Sequence, residues 1–272
     1  MTRRRRPATM HSIYERSMRE ERRSIVGWLT GLVGFSVVML AMYPTVSGNK
    51  AFSKLLDAYP DALKKLFSLS DYTTGAGYLR SEVFSFMAPL LLAIFAILWG
   101  SDLVAGEEER RTIDLLLANP VSRRRVVTEK WLALTTGVTL LSAGLELALG
   151  LLGPAFRLHV GWAPLSAVVL GSGLFALAFG TLALATGAAT GSRGVARGVA
   201  TVLAVATYLL STLAQLVGWL RPVESASLWY HALGTDPLSS GFHLGHLLVP
   251  ALATAALVGL AVLGFERRDL AT

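Results

Sequence analysis

The chain has no cysteine in its 272 residues. This one absence excludes disulfides, thiolate nucleophiles and cysteine-ligated metal centres. Charge is scarce too, at 16% of residues where ordinary soluble chains carry about 25%. No G-x-x-x-x-G-K-[ST] occurs anywhere, so the chain has no P-loop with which to cradle nucleotide phosphates. Apolar and polar residues do not alternate over strand-length segments, which excludes a membrane β-barrel.

What is present is apolar: 53% of the residues are hydrophobic. They gather into six runs, at 25–43, 83–103, 131–152, 165–187, 199–220 and 247–265. Each run is about the length a helix needs to cross ~30 Å of hydrocarbon. In lipid the backbone must satisfy its own polar groups, so these runs are read as helices. The expected fold is an all-α integral membrane protein with six transmembrane helices.

The net charge of +7 is unevenly placed. Lys and Arg cluster at Arg3–Arg6 and Arg16–Arg23, at Arg110, Arg111, Arg123–Arg125 and Lys130, at Arg193 and Arg197, and at Arg267 and Arg268. With six spans, all of these fall on one side. Only Lys50, Lys54, Lys64, Lys65, Arg80, Arg157 and Arg221 fall on the other. The positive-inside rule makes the richer side cytoplasmic and puts both termini there. The arginines lie beside spans and accompany no binding module, so nucleic acid is not an expected partner. MTRRRRP leads into a polar stretch ending at Ser24, without the short apolar core and small-residue site of a cleavable signal. Its arginines are expected to hold the N-terminus inside by attraction to anionic lipid.

Met10, Ile13, Tyr14 and Met18 recur at helical spacing, with Arg16 and Glu20 one turn apart. This predicts an amphipathic interfacial helix within 1–24, ahead of the first span. The outer segment 44–82 reads as two short amphipathic helices broken at Pro60, either capping the outer mouth or packing on the bundle as a compact loop. Segment 105–130 is charged and helical in pattern. Its first helix is expected to run through Leu117 and stop before Pro120. Ser122 stands as N-cap of the next helix, with Val121 and Val126 in staple positions. The outer segments 153–164 and 221–246 and the tail 266–272 complete the chain. In 221–246, breaks at Pro222, Gly234, Pro237 and Gly241 predict short interfacial or re-entrant helices.

The fourth run carries small residues at steps of three and four: Gly173, Ala176, Gly180, Ala183, Gly187, Thr190 and Gly194. Such a stripe lets another helix backbone approach closely. The fifth run places Thr201, Tyr208, Ser211, Thr212 and Gln215 on a broad common face. These residues either line a path or bond back to their own helix. Glu146 is the one acid deep in a run. It acts either as a proton relay or substrate contact, or as a hydrogen-bonded structural acid. His243 and His246 form H-x-x-H, with His231 and Asp236 nearby. Without a second strong ligand motif they are read as interfacial histidines, and no metal site is expected.

The segment GEEERRTIDLLLANPVSRRRVVTEKW, together with WYHALGTDPLSSG and the closing GFERRDL, resembles the ABC-2 type transporter permeases in order and spacing. The similarity is greatest to the single-domain permeases that include the NosY-like proteins. Arg111 departs from the pattern, which often has Gly there; a stiffer helix is the expected effect. The resemblance implies two protomers per transporter, as a homo- or heterodimer. It also implies a separate cytosolic ABC ATP-binding subunit carrying ATP and Mg, with no cofactor and no catalysis on this chain. By that resemblance Glu107, Glu108, Glu109, Arg110, Thr112, Asp114, Leu115, Pro120 and Arg123 belong to a coupling hairpin at the ATPase, and spans two and five line the central path. The expected function is the permease subunit of an exporter in the cytoplasmic membrane. Two other readings stay open: an ATP-independent, ion-coupled carrier using Glu146, and ATPase-driven force transmission to an outer partner without transport.

Overall fold

The computed structural model describes residues 12–47, 49, 58–60, 71–112 and 121–268. It is 85% helical, and the described residues include no strand. Among the described residues, six helices are long and apolar enough to cross a membrane: α1 (Ile13–Val46), α2 (Gly75–Glu109), α3 (Arg123–Phe156), α4 (Trp162–Thr190), α5 (Arg193–Ala214) and α6 (Leu244–Arg267). The two short helices expected around Pro60 lie mostly outside the described residues.

The amphipathic segment is helical and forms the first turns of α1 itself. Ser12 caps it, accepting from the Glu15 amide at 3.1 Å. No proline or glycine interrupts 13–26, so the helix continues past Ser24 into the span. Its apolar residues Ile13, Tyr14 and Met18 pack on the protein core. The Tyr14 amide donates to Glu129 and its hydroxyl to Thr136, both at 3.1 Å, which fixes this end to α3.

α4 is the central element. Of its membrane-crossing stretch 83% is buried within the protein, against 22%, 22% and 17% for α1, α5 and α6. The small-residue stripe explains this position. A β-carbon on Gly180 would lie 2.8 Å from Ala96 Cβ, and one on Gly100 would lie 2.1 Å from the Gly180 carbonyl oxygen. The backbones of α2 and α4 therefore touch where neither residue has a side chain. Gly173 leaves room for a side chain of α3: a β-carbon there would lie 2.9 Å from the Ser142 hydroxyl. Lipid tails give apolar helices no hydrophobic reason to associate, so close packing of this kind carries the assembly. The stripe stops sooner than the sequence pattern suggests: Thr190 ends α4, and Gly194 belongs to α5.

The link between α4 and α5 is two residues long. Gly191 adopts φ +70, the left-handed conformation that ends many helices. Ser192 then caps α5, accepting from Val195 at 3.4 Å. So α5 starts at Arg193 and ends at Ala214, about six residues ahead of the apolar run 199–220 at both ends. The rest of that run enters a 3₁₀ helix, Gly218–Ala226, which Pro222 suits better than an α-helix. Beyond it come a π turn, Tyr230–Gly234, and a short helix, Pro237–Ser240. This segment packs against the bundle. Trp229, Ala232 and Leu238 are buried, and a β-carbon on Gly171 of α4 would lie 2.2 Å from the Ala232 carbonyl oxygen.

Polar contacts tie the same end together. Arg80 of α2 pairs with Asp236, and Tyr72 donates to Glu82. Burial, reinforced by that bond, pushes the Tyr72 phenol well above the usual range.

A Gly100→Ala variant should lower the midpoint of thermal unfolding in detergent, because overpacking at such a contact costs about 1–3 kcal/mol. Gly198→Ala, where nothing lies within 4 Å, should leave the midpoint unchanged or slightly raised. Equal behaviour of the two variants would show that the α2–α4 approach is not tight.

Candidate functional site

The charged end of the bundle is organised by one turn of helix. Glu107, Glu108 and Glu109 close α2 as consecutive helical residues. Successive side chains leave a helix about 100° apart, so the three carboxylates point in three directions and reach three elements.

Glu107 reaches α3. Its Oε1 lies 2.7 Å from Lys130 Nζ, with the two side chains 7% and 1% exposed. The ammonium also donates to the Leu103 carbonyl. Glu108 reaches the end of α6, where Arg268 grips it through two parallel bonds of 2.9 and 2.6 Å. That fork is the strong geometry for a guanidinium and a carboxylate. Glu109 reaches the start of α5, accepting from the Arg193 amide at 2.9 Å and from its Nε at 2.5 Å. A carboxylate at the first amides of α5 also complements the positive end of that helix.

Asp102, Arg123 and Arg197 complete the clamp. Asp102 accepts from both terminal nitrogens of Arg110 at 3.1 Å and from Arg193 at 3.0 Å. Arg123, the first residue of α3, donates to the carbonyls of Phe265 and Arg268 at 2.9 and 2.5 Å. Its guanidinium lies 5.5 Å from the Phe265 ring centre. Arg197 adds a bond to Ser101 at 3.0 Å. The ends of α2, α3, α5 and α6 are thus bound into one unit.

The helical end of α2 differs from expectation. It does not run to Leu117 but stops at Glu109. Arg111 takes φ 55, left-handed. Its amide donates to the Glu108 carbonyl at 2.9 Å, and the Thr112 amide to the Glu107 carbonyl at 2.8 Å. These two bonds form the Schellman closure of a helix, with Arg111 in the position glycine usually takes. Arg111 therefore does not stiffen the helix; it stands just beyond it. Asp114, Leu115 and Pro120 lie outside the described residues. Ser122 caps α3 as its sequence position predicts, accepting from Arg125 at 3.3 Å.

The family model for ABC-2 family transporter proteins matches residues 11–270. This chain belongs to the ABC-2 family. No curated protein matches it. Family membership and the six apolar helices make it a multi-pass membrane protein of the permease type, a subunit of a transporter.

The residues read as a path along α5 separate into two groups in this ABC-2 permease. Tyr208 is wedged between Trp229, at 4.8 Å between ring centres, and Phe86, at 5.1 Å. Ser211 is buried and donates to Glu224 at 3.3 Å. Both hold the outer segment against α5. Thr212 is half-buried, while Thr201 and Gln215 are exposed, Gln215 at the helix cap. Glu146 is elsewhere: it accepts from Ser166 across the α3–α4 contact. His231 and His246 meet, but among the described residues no group of three or more His, Asp or Glu is arranged to hold a metal.

Lys130, Arg193 and Arg268 were legible only as charges that orient the chain, and Asp102 carried no local signal. Asp102 meets Arg193 as well as the nearby Arg110, and the partners of Lys130, Arg193 and Arg268 lie on another helix, so no local spacing signals such pairs.

Lys130→Met should destabilise the protein strongly, by about 3–5 kcal/mol, because Glu107 is left buried and charged. The double variant Lys130→Met/Glu107→Leu should recover most of that loss. Thermal unfolding of the singles and the double in one detergent measures it. A double variant no better than the singles would show that the pair is not coupled.

Proposed function

We propose that this chain is the permease subunit of an ATP-driven ABC-2 exporter in the cytoplasmic membrane. It works as a pair of protomers, with each charged end resting on a separate cytosolic ATP-binding subunit that holds ATP and Mg. The NosY-like single-domain permeases are the subtype its sequence suits best.

One observation carries this reading. The last turn of α2, which leads into the hairpin 105–130, is ion-paired to α3, α5 and α6 at once. A push on the hairpin then reaches four spans as a single body. Rigid-body displacement about an interface is a standard way to switch a protein between two states. ATP binding would draw the cytosolic subunits together, move the hairpins and change access between protomers. Glu107, Glu108 and Glu109 serve the coupling by holding the hairpin to the bundle. The contact with the partner falls to the apolar stretch holding Ile113, Leu115, Leu116 and Leu117, which requires a cover. Glu146, hydrogen-bonded to Ser166, needs no proton-relay role in this scheme.

The orientation is open to direct test, since the protein has no cysteine of its own. Ser239→Cys should react with an impermeant maleimide on intact cells, and Arg124→Cys should react only after the membrane is opened. Both positions are exposed on the protein. Labelling of position 124 from outside would reverse the topology.

Leu115→Asp should insert normally and lose its ATP-binding subunit on copurification. A charge placed in an apolar contact should cost about 3 kcal/mol, on the order of a hundredfold in affinity. Unchanged copurification and unchanged stimulated ATP hydrolysis would count against the hairpin as docking element.

A further inference from the structure

The outer segment meets the first turn of α6 through two histidines. His231 Nδ1 and His246 Nδ1 lie 3.1 Å apart. His231 Nε2 lies 2.8 Å from the Ser225 carbonyl oxygen. A carbonyl only accepts, so Nε2 of His231 carries a hydrogen in every state that keeps this bond.

The proton count follows. With both rings neutral, His231 presents a bare Nδ1, and His246 must donate to it from its own Nδ1–H. If His231 takes a second proton, it becomes the donor, and His246 accepts after moving its hydrogen to Nε2. In both states one hydrogen lies between the two nitrogens. When both rings are cationic, an N–H faces an N–H at 3.1 Å and like charges meet. No orientation of either ring keeps the contact.

We infer that His231 and His246 form a proton-operated tie between the outer segment and α6, closed while at most one of the two rings is charged and broken when both are.

The surroundings favour this response. Tyr230 packs its ring 5.4 Å from His246 and 5.3 Å from His231, which holds both imidazoles in place without adding charge. His243, in the turn leading into α6, lies 6.2 Å from His246 and adds repulsion when it too is protonated. α4 contributes the uncharged Ala167 to this pocket. Asp236 of the outer segment is paired with Arg80 and does not neutralise the histidines. Imidazole is the side chain that gains charge in mild acid, so acidification of this face is the trigger.

The tie also has something to release. The segment it fastens carries Trp229, packed on Tyr208 of α5 and Phe175 of α4, and Ser227, which donates to the Thr207 carbonyl at 2.7 Å. Breaking the histidine contact removes the polar bond between this segment and α6, leaving Trp229 and Ser227 on α4 and α5. This inference does not depend on the ATP-driven reading, because it concerns only the packing of this chain.

The test uses the full chain in lipid nanodiscs with EDTA present, followed by amide hydrogen exchange over Tyr230–Gly234. After correction for the intrinsic pH dependence, exchange should rise on the order of tenfold between pH 7.5 and pH 5.0. His246→Phe keeps a ring against Tyr230 but shares no proton, so its exchange should be fast and equal at both pH values. His243→Asn should keep the wild-type response. Histidine-selective ¹⁵N spectra of the unmutated protein at pH 7.5 should show His231 protonated at Nε2. Equal protection of the wild type at both pH values would overturn the inference. So would a wild-type response in His246→Phe, or a His231 Nε2 without its hydrogen.

Discussion

The ammonium of Lys130 and the carboxylate of Glu107 meet with almost no water around them. Bringing both charges out of solvent is expensive, and their attraction repays it only at close range and with good geometry. Such a pair contributes little net stability, but it tolerates no sliding. It therefore sets the height of α2 against α3. Once that height is set, the helical step places Glu108 and Glu109, and through them the starts and ends of α5 and α6. The rest of the clamp inherits its register from this one contact.

The seam of small residues does the complementary work within the membrane. Where α2 crosses α4, glycine meets glycine and alanine, and the backbones approach as closely as atoms allow. Close-packed interiors respond to force by moving as blocks. With the clamp at one end and the seam along the middle, α2 and α4 cannot shear past one another without separating. The clamp adds the ends of α3, α5 and α6 to that block, and Tyr14 fixes α1 to α3.

The six spans and the cap at Ser122 were legible because each rests on local information: an apolar run of sufficient length, or a serine before a helical pattern. The small stripe on α4 was legible for the same reason, as a repeat at helical spacing. The far contacts were not. Nothing within a few residues of Glu108 announces Arg268. The end of α2 was misjudged because a proline at 120 is a visible stop, whereas a left-handed Arg111 is not. The end of α5 was placed too late because hydropathy cannot tell α-helix from a 3₁₀ continuation, and the apolar run includes both. The sequence put Thr201, Tyr208, Ser211, Thr212 and Gln215 on one broad face, but it could not show that Trp229 and Glu224 cover Tyr208 and Ser211 there.

Gly191 has a second role beyond turning the chain. A β-carbon there would stand 2.2 Å from Arg268 Nη2, so the bare glycine is the floor on which that guanidinium rests while it grips Glu108. The same residue is the pivot between α4 and α5. A single bare backbone position thus serves two joints, so the turn from α4 into α5 and the seat of Arg268 on Glu108 cannot be altered separately.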